Sequence, residues 1–170
     1  MNSTRIGRIR PIDPSSLAEI DLVARRMRET LVEVLGEERG TGLYTMEWLR
    51  DRVLFHLDPQ KSTAAVFLSE NDTGHVTGHT IVRVEREDSG KEIGLFSTMF
   101  VERASRRMGI ANRLLLRGEE WMLQHGLTEA ITYTSDSNVK LINLYRKHGY
   151  DIVAAESEMV KLAKTLARVL

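Results

Sequence analysis

The chain contains no cysteine and only three prolines among its 170 residues. Without cysteine, the protein has no disulfide framework, no zinc–thiolate site and no cysteine nucleophile. A cysteine-free chain fits a reducing compartment, so we expect a cytoplasmic protein. No segment has the apolar length of a membrane span, and the first twenty residues carry arginines and prolines in place of an apolar run. We therefore expect neither a membrane segment nor a signal peptide.

Neither sign of charge is in excess, because lysine plus arginine and aspartate plus glutamate each number 24. Nucleic-acid-binding domains usually carry a basic excess, so we expect no nucleic-acid partner. We expect no metal site either. Of the five histidines, His75 and His79 would share one strand face but lie roughly 13 Å apart, too far for one ion. The other three, His56, His125 and His148, lie near predicted helix ends, where surface histidines are common.

The order of apolar patterns predicts a single α+β domain over residues 1–170. Apolar segments of β-branched and aromatic residues predict strands, and apolar residues at spacings of three and four predict helices. The predicted strands run from Arg5 to Ile12, Ala64 to Ser69, His75 to Glu85, Ile93 to Val101, Glu129 to Thr134 and Tyr150 to Ala155. The predicted helices begin near Leu17, Thr45, Ile110 and Asn138.

Two segments are less regular. Three glycines between Gly36 and Gly42 predict a flexible loop between the first two helices. The segment from Glu158 to Lys164 fits a strand and fits a helix equally well. In the second helix the residues predicted to face inward are Trp48, Leu49, Val53 and Leu54.

The strand from Ile93 to Val101 leads into a basic turn, Arg103 to Ala111, and then into a helix. The first N–H groups of a helix lack intrahelical partners and carry partial positive charge, so a helix N-terminus favours anions. Gly109 has no Cβ and lets an anion approach the backbone, and Arg106 and Arg107 add charge-assisted contacts. The turn therefore predicts a phosphate site, although the same residues also fit an ordinary strand-to-helix connection.

A second group of residues lies on the predicted helix that begins at Asn138. Asn138, Leu141, Ile142 and Tyr145 are spaced i, i+3, i+4 and i+7, so they share one helix face. Leu141 and Ile142 are core residues, and the polar groups of Asn138 and Tyr145 point the same way. Two interpretations remain open from spacing alone. Either Asn138 starts the helix and Tyr145 buries its ring, or both side chains belong to a site.

Both groups resemble motifs of the GNAT superfamily of N-acetyltransferases. The run Arg106-Arg107-Met108-Gly109-Ile110-Ala111 resembles that family's pyrophosphate-binding loop. The run from Asn138 to Tyr150 resembles its pattern of Asn, two residues, Ala-Ile, one residue, Leu-Tyr, three residues and Gly-Phe, with Leu141 where alanine is usual. The two motifs occur in the family's order. The resemblance covers Glu92 to Lys164 well, and the first ninety residues only by element order.

The resemblance implies a fold and an activity. The fold is α+β, with a mixed, mostly antiparallel central sheet of about seven strands, flanked by helices and splayed after the fourth strand. The splay would leave a V-shaped slot for acetyl-coenzyme A as co-substrate. The activity would be direct transfer of the acetyl group from acetyl-coenzyme A to a primary amine of a small molecule or peptide. The family also makes a homodimer through exposed terminal strands an open alternative to a monomer.

The resemblance also assigns roles to residues. Tyr145 would protonate the departing thiolate, and Asn138 would contact the pantetheine–phosphate arm. Backbone N–H groups near the end of the fourth strand would stabilise the thioester oxygen as charge develops. The expected cofactor-binding residues are Met99, Phe100, Val101, Arg106, Arg107, Met108, Gly109, Ile110, Ala111 and Asn138.

No residue stands out as the general base. The position at which the family often has a glutamate falls on Leu95. Glu92, Glu129 and Asp136 are weak candidates, and a chain of water molecules is a further route for the proton. Two other functions therefore stay open: a non-catalytic coenzyme A sensor or interaction module of the same fold, and a nucleotide-dependent phosphotransferase. The second lacks the lysine of a Walker loop.

The acceptor amine is not identified by any motif. We expect the loop from Gly36 to Gly42 and the helix after it to border its site, because flexible loops on a rigid scaffold often carry recognition. Glu37 and Glu38 would attract a protonated amine, and Tyr44 and Trp48 would form an apolar wall.

Overall fold

A computed structural model describes residues 7–166, and these form seven strands and five α-helices. The strands are β1 Arg8–Pro11, β2 Ala64–Glu70, β3 Val76–Arg86, β4 Glu92–Val101, β5 Glu129–Ser135, β6 Asp151–Glu156 and β7 Met159–Thr165. The helices are α1 Leu17–Leu35, α2 Glu37–Gly42, α3 Met46–Leu57, α4 Ile110–Gln124 and α5 Val139–Lys147. A 3-10 turn at Arg103–Ser105 joins β4 to the loop before α4.

The strands form one mixed sheet in the order β1-β2-β3-β4-β5-β7-β6. Every neighbouring pair is antiparallel except β4 and β5, which are parallel. Residues 94–96 of β4 pair with residues 130–132 of β5, and the pairing stops there, although β4 continues to Val101. The predicted α+β sheet, splayed after its fourth strand, is confirmed.

A β-bulge marks the place where β4 leaves β5. Val82 of β3 lies opposite Phe96, and Ile81 lies opposite Thr98, so Ser97 is an extra residue on β4. Bulges bend a strand and re-aim its side chains, and they are frequent beside active sites. The sequence gives no signal for this bulge.

The two faces of the sheet are buried under different helices. On one face Phe67, Val82 and Phe96 pack with α4 and α5 in the larger core. On the other face their neighbours Val66 and Ile81 pack with α1 and α3. Neighbouring residues lie on opposite faces because successive side chains of a strand point to opposite sides of the sheet. Each fully buried aliphatic or aromatic side chain contributes about 1.5–3 kcal/mol, so both helical layers are strongly held.

The expected loop between Gly36 and Gly42 is instead the short helix α2, so that prediction was wrong. Gly36 has φ +90°, a conformation in which glycine ends α1 without strain. Gly40 is buried, and a Cβ there would overlap the backbone of Val32. The glycines therefore let α2 pack closely against α1, which a count of glycines cannot distinguish from flexibility.

Other boundaries differ in smaller ways. In α3, Leu49 and Val53 are fully buried as expected, whereas Trp48 and Leu54 are 42% and 44% exposed. The segment that fitted both a strand and a helix is strand β7, because β5 and β6 pair with its two edges. The first predicted strand begins at Arg8, and its expected residues Arg5 and Ile6 lie outside the described part of the chain.

A buried polar cluster joins α4 to the last strands. The Tyr150 hydroxyl donates to Glu119 at 2.6 Å, and Lys164 Nζ donates to the same carboxylate at 3.0 Å. Burial, followed by this hydrogen bond to Glu119, raises the pKa of Tyr150 well above the usual range. The cluster satisfies a buried carboxylate and fixes Tyr150, and Lys164 of β7, against α4. Within residues 7–166 no helix has the length and hydrophobicity of a membrane span.

Candidate active site

A cavity of about 550 Å³ opens where β4 and β5 part. We call it the larger cavity. Its size lies within the ~300–1,000 Å³ of small-molecule sites. It lies between the N-termini of α4 and α5, with α1 forming a third wall. Its lining residues are Thr30, Glu33, Val34, Met99, Phe100, Val101, Ser105, Arg106, Arg107, Gly109, Ile110, Ala111, Asn112, Ser137, Asn138, Val139, Lys140, Leu141 and Leu144.

The loop before α4 has the backbone of an anion site. Arg107 has φ +67° and Gly109 has φ +80°, so two left-handed residues flank Met108. Such alternation turns successive N–H groups toward one point and makes a concave anion-binding nest. Gly109 is the N-cap of α4, and no side chain among residues 7–166 caps this helix. The first N–H groups of α4 are therefore free for a ligand.

Arg106 is held within the protein. Its two terminal nitrogens donate to the two carboxylate oxygens of Glu33 at 2.8 and 2.9 Å, and Nε donates to the Val101 carbonyl at 2.8 Å. The hydrogen bond with Arg106 lowers the pKa of Glu33, and the same bond raises the pKa of Arg106. The exposed side chains of Arg107 and Lys140 carry the remaining positive charge in the cavity wall.

The end of β4 supplies the backbone beside the gap. Met99, Phe100 and Val101 line the larger cavity directly after the Ser97 bulge. Since β5 pairs with β4 only as far as Phe96, the backbone groups on that edge of β4 have no strand partner within residues 7–166. Free N–H groups on this edge are suited to a developing oxyanion.

Asn138 both starts α5 and lines the larger cavity, so its two possible positions are compatible with each other. It is the N-cap of α5, where its side-chain oxygen accepts from the Leu141 N–H at 3.4 Å. Its side-chain amide donates to Thr134 Oγ1 at 3.3 Å. Asn138 also lines the larger cavity, so the structure places one side chain both at the helix start and in the site.

A second cavity of about 330 Å³ adjoins the first. We call it the smaller cavity, and it shares Thr30, Met99, Asn138 and Leu141 with the larger one. Its other lining residues are Met27, Leu31, Tyr44, Trp48, Leu49, Arg52, His79, Ser97, Thr98, Thr132, Tyr133, Thr134, Tyr145 and Met159. The shared wall means that a molecule in one cavity lies directly beside a molecule in the other.

Tyr145 lines the smaller cavity from α5 and is 1% exposed. Its ring packs edge-on against Phe96 and Tyr150, with centroids 5.6 and 5.0 Å apart. Burial raises the pKa of Tyr145 above the usual phenol range. The hydroxyl therefore keeps its proton at neutral pH, and the packed ring holds it in the cavity wall.

Met108 lies in the loop but lines neither cavity, because its side chain packs against the larger core. The candidate bases are also absent from both walls. Leu95 packs with Ile93 and Ile131 in a separate cluster, and Glu129 accepts from Lys91 at 2.8 Å. Glu92 and Asp136 likewise line neither cavity.

The smaller cavity contains residues that sequence reasoning did not select. Tyr44 and Trp48 form its wall as expected, whereas Glu37 and Glu38 do not reach it. Arg52 and His79 were missed. His79 is 1% exposed, stacks on Phe100, and has its pKa lowered to about 3 by burial and then by Arg26.

No signal in the sequence separates these two residues from other arginines and histidines, because their roles depend on which cavity their elements border. Within residues 7–166, no group of three or more His, Cys, Asp and Glu residues is arranged to hold a metal ion.

Residues 24–150 match the family model described as Acetyltransferase (GNAT) family. This match confirms the resemblance seen in the loop and in the run from Asn138 to Tyr150. A mycothiol acetyltransferase of Saccharomonospora viridis is 29% identical over 94 residues, which are 53% of this chain and 31% of the relative. The match thus spans about a third of that relative's length.

Solved structures share the fold. A protein of Pyrococcus horikoshii superposes with a TM-score of 0.72 at 14% identity, over 95% of this chain and 99% of its own. The PaiA N-acetyltransferase of Thermoplasma acidophilum, solved with coenzyme A, superposes with a TM-score of 0.67 at 14% identity, over 93% and 98%. Likeness at this identity establishes the architecture around the β4–β5 gap.

Proposed function

Because the chain belongs to the acetyltransferase (GNAT) family, we propose that it transfers acetyl from acetyl-coenzyme A to a primary amine of a small molecule or peptide. One observation carries the proposal. The nest before α4 opens into the larger cavity, and that cavity shares a wall with the smaller one, in which Tyr145 lies. Two adjoining sites fit a thioester co-substrate and an acceptor.

The larger cavity is the proposed seat of acetyl-coenzyme A. Its pyrophosphate would accept hydrogen bonds from the backbone of Gly109, Ile110 and Ala111, where α4 is uncapped. Arg107 and Lys140 would add charge at the mouth. The pantetheine arm would follow β4 past Asn138, and its thioester would reach the shared wall near Met99.

The chemistry then requires two kinds of protein group near the shared wall. As the amine attacks, the C–N bond forms and the C–S bond breaks, and free N–H groups of β4 near Met99 to Val101 stabilise the oxyanion. Tyr145 donates a hydrogen bond to the departing sulfur. With a pKa above that of a thiol, the phenol stabilises the thiolate without giving up its proton in the resting enzyme. The amine gives one proton to water and the departing sulfur takes one proton from water, so the products are the amide and the free thiol.

The amine loses its proton without a carboxylate base. No Asp or Glu within residues 7–166 lines the smaller cavity. A lysine-like amine has a pKa of about 10.4, so the solution pH sets the fraction of the amine that is neutral when it enters the site. Water would then accept the proton that is released during attack.

Coenzyme A binding without catalysis is the second candidate, and the base-free cavity favours it. A panel of primary amines separates the two functions. The enzyme releases thiol only when acetyl-coenzyme A and an amine are both present, and a sensor shows a coenzyme A-dependent rise in Tm with no thiol release. A rise in Tm with ATP in place of coenzyme A would support neither. The cytoplasmic location, the single-domain organisation and the homodimer stay predictions.

A further inference from the structure

Among the residues that the structure describes, one formal charge lies in the wall of the smaller cavity, and that charge is positive. Arg52 of α3 is its source, and no carboxylate within residues 7–166 contributes to this wall. The rest of the wall is apolar, aromatic or neutral and polar, including the neutral imidazole of His79. A site built for a polycation would present carboxylates, so the charge of this cavity selects for a different acceptor.

Arg52 has no counter-ion in the described part of the chain. It is half-buried over the ring of Phe55, at 4.6 Å from the centroid, and no carboxylate oxygen lies within 4.0 Å of its guanidinium. Burial lowers its pKa, and the neighbouring Arg83 lowers it further. Glu85 opposes this effect, but its carboxylate is paired with Arg83 at 3.0 Å.

The neighbouring arginine on the same helix shows the contrast. Arg50 pairs with Asp21 at 2.8 Å on the outer surface and lines neither cavity. A desolvated cation without a partner is unfavourable, and an anion that reaches it recovers that free energy. Arg52 is therefore placed to bind an anionic group on a molecule in the smaller cavity.

An aromatic pair lies on the same wall. The rings of Tyr44 and Trp48 stack with centroids 3.9 Å apart and an interplanar angle of 10°. Trp48 is 42% exposed, although it lies on a helix whose neighbours Leu49 and Val53 are fully buried. Trp48 lies in the first turn of α3 and Arg52 lies one turn further along, so the flat apolar surface and the cation are adjacent.

We propose that the acceptor is a primary amine that also bears a carboxylate, as a free amino acid does. Its carboxylate pairs with Arg52, its apolar body lies against Tyr44 and Trp48, and its amine faces the thioester at the Ser97 bulge. Guanidinium and carboxylate match as a bidentate pair, which gives orientation as well as affinity. This inference rests on the proposed function, and it replaces the expected attraction of amines by Glu37 and Glu38.

Matched substrates test the inference. Thiol release is measured with phenylalanine against phenethylamine and with tryptophan against tryptamine, which differ only in the carboxylate. We expect the wild type to favour the amino acids at least about tenfold in kcat/KM, as one charge-assisted pair allows. Arg52→Gln should raise the KM of the amino acids about 10- to 100-fold and leave that of the amines unchanged.

Two control variants sharpen the comparison. Arg50→Gln removes the same charge from the same helix outside the cavity and should leave every KM unchanged. Arg52→Lys keeps the charge without the planar fork and should recover part of the loss. A wild-type preference for the decarboxylated amines, or an amino-acid KM unaffected by Arg52→Gln, would overturn the inference while leaving acetyl transfer intact.

A binding measurement separates failure of this inference from failure of the proposed function. Calorimetry of the coenzyme A-loaded protein with N-acetylphenylalanine and with N-acetylphenethylamine requires no turnover. Tighter binding of the carboxylate compound that is lost in Arg52→Gln supports the anion site even if no amine releases thiol. Equal binding of the two compounds contradicts it.

Discussion

Glu33 of α1 and Arg106 of the loop before α4 form a bidentate ion pair in the wall of the larger cavity, at 2.8 and 2.9 Å. The two residues are 73 positions apart in the chain, and their pairing closes one side of the cavity. Arg106 also holds the Val101 carbonyl, so the guanidinium links α1, β4 and the loop. Arg106 thus positions the nest, and Glu33 neutralises part of the positive charge of Arg106 before any phosphate binds.

The first prediction concerns this pair. Glu33→Gln removes the negative charge and leaves the cavity more positive, so coenzyme A should bind about two- to fivefold more tightly at low salt, and the gain should shrink as salt screens it. Calorimetry at two ionic strengths measures the effect. Glu29→Gln is the control, because Glu29 lies on the same helix, is exposed and lines neither cavity. Weaker binding by Glu33→Gln would show that the intact pair is required.

The second prediction concerns the nest. At Gly109 an added Cβ would meet no protein atom within 4 Å, so it would enter the open space in which the pyrophosphate is expected. Gly109→Ala should weaken coenzyme A binding at least about tenfold, because the Cβ blocks approach to the N–H groups. Gly90→Ala is a matched control. Gly90 has φ +88°, its surroundings are equally open, and it lies outside the loop before α4.

Both glycine variants carry a left-handed alanine, which costs about 1–2 kcal/mol. Their losses in Tm should therefore be similar, and only Gly109→Ala should change the Kd for coenzyme A. If the two variants bind coenzyme A equally well, the loop before α4 does not hold the pyrophosphate.

The third prediction separates two neighbouring tyrosines. Tyr145→Phe keeps the ring and removes the hydroxyl that faces the smaller cavity, so kcat should fall by about 10²–10⁴ with an unchanged Kd for coenzyme A. Tyr150→Phe removes a hydroxyl bound to Glu119, at the far side of the same aromatic cluster. It should lower stability by about 1–3 kcal/mol and leave kcat unchanged. A Tyr145→Phe enzyme within about threefold of wild type would assign the phenol a purely structural role.

The fourth prediction concerns stability in acid. Burial lowers the pKa of His56 to about 4 and that of His79 to about 3, whereas both groups titrate near 6.5 when unfolded. Between the folded and unfolded pKa values the unfolded chain binds more protons than the folded chain does. The free energy of unfolding therefore falls as pH decreases from about 6.5 toward 4, by about 1.4 kcal/mol per pH unit for each group.

Urea denaturation from pH 7 to 4 measures that slope. His79→Leu should make it shallower, because the ring nitrogens of His79 have no hydrogen-bond partner among residues 7–166 and an apolar residue leaves nothing unsatisfied. At pH 7 the variant should be about as stable as wild type. A slope unchanged by His79→Leu would show that His79 titrates normally in the folded protein.

The fifth prediction concerns the rate of transfer. Because no carboxylate of residues 7–166 lines the smaller cavity, kcat/KM for the amine should rise about tenfold per pH unit up to the pKa of the amine itself. The profile is recorded with two amines of different pKa, and the upper limit should move with the amine. A plateau at one pH for both amines would reveal an ionising base in the enzyme.

Local patterns were sufficient to predict most of the framework. The basic turn with Gly109, the run from Asn138 to Tyr150 and the strand before them predict a family and a fold, and the family match and the superposed structures confirm both. Each of these features depends on residues a few positions apart, so it can be read directly from the sequence. The individual roles of Tyr145, Asn138 and the loop residues stay predictions, although all but Met108 lie on a cavity wall.

Features that depend on contacts between distant elements were missed. The Ser97 bulge arises from the register between β3 and β4, and the Glu33–Arg106 pair joins α1 to the loop before α4. Arg52 and Arg50 look alike in the sequence, and only the packing of α3 turns one inward and the other toward Asp21. The glycines before α3 indicated flexibility because a close helix contact has the same composition as a loop.

The most direct test of acetyl transfer is the product balance in a single reaction with acetyl-coenzyme A and a carboxylate-bearing amine. Free thiol is measured with a thiol reagent, and the acetylated amine is measured by mass spectrometry in the same sample. We predict one molecule of acetylated amine for each thiol released, with both products lost together in Tyr145→Phe. Coenzyme A binding with no amine-dependent thiol release from any amine in the panel would contradict the account and leave a binding module.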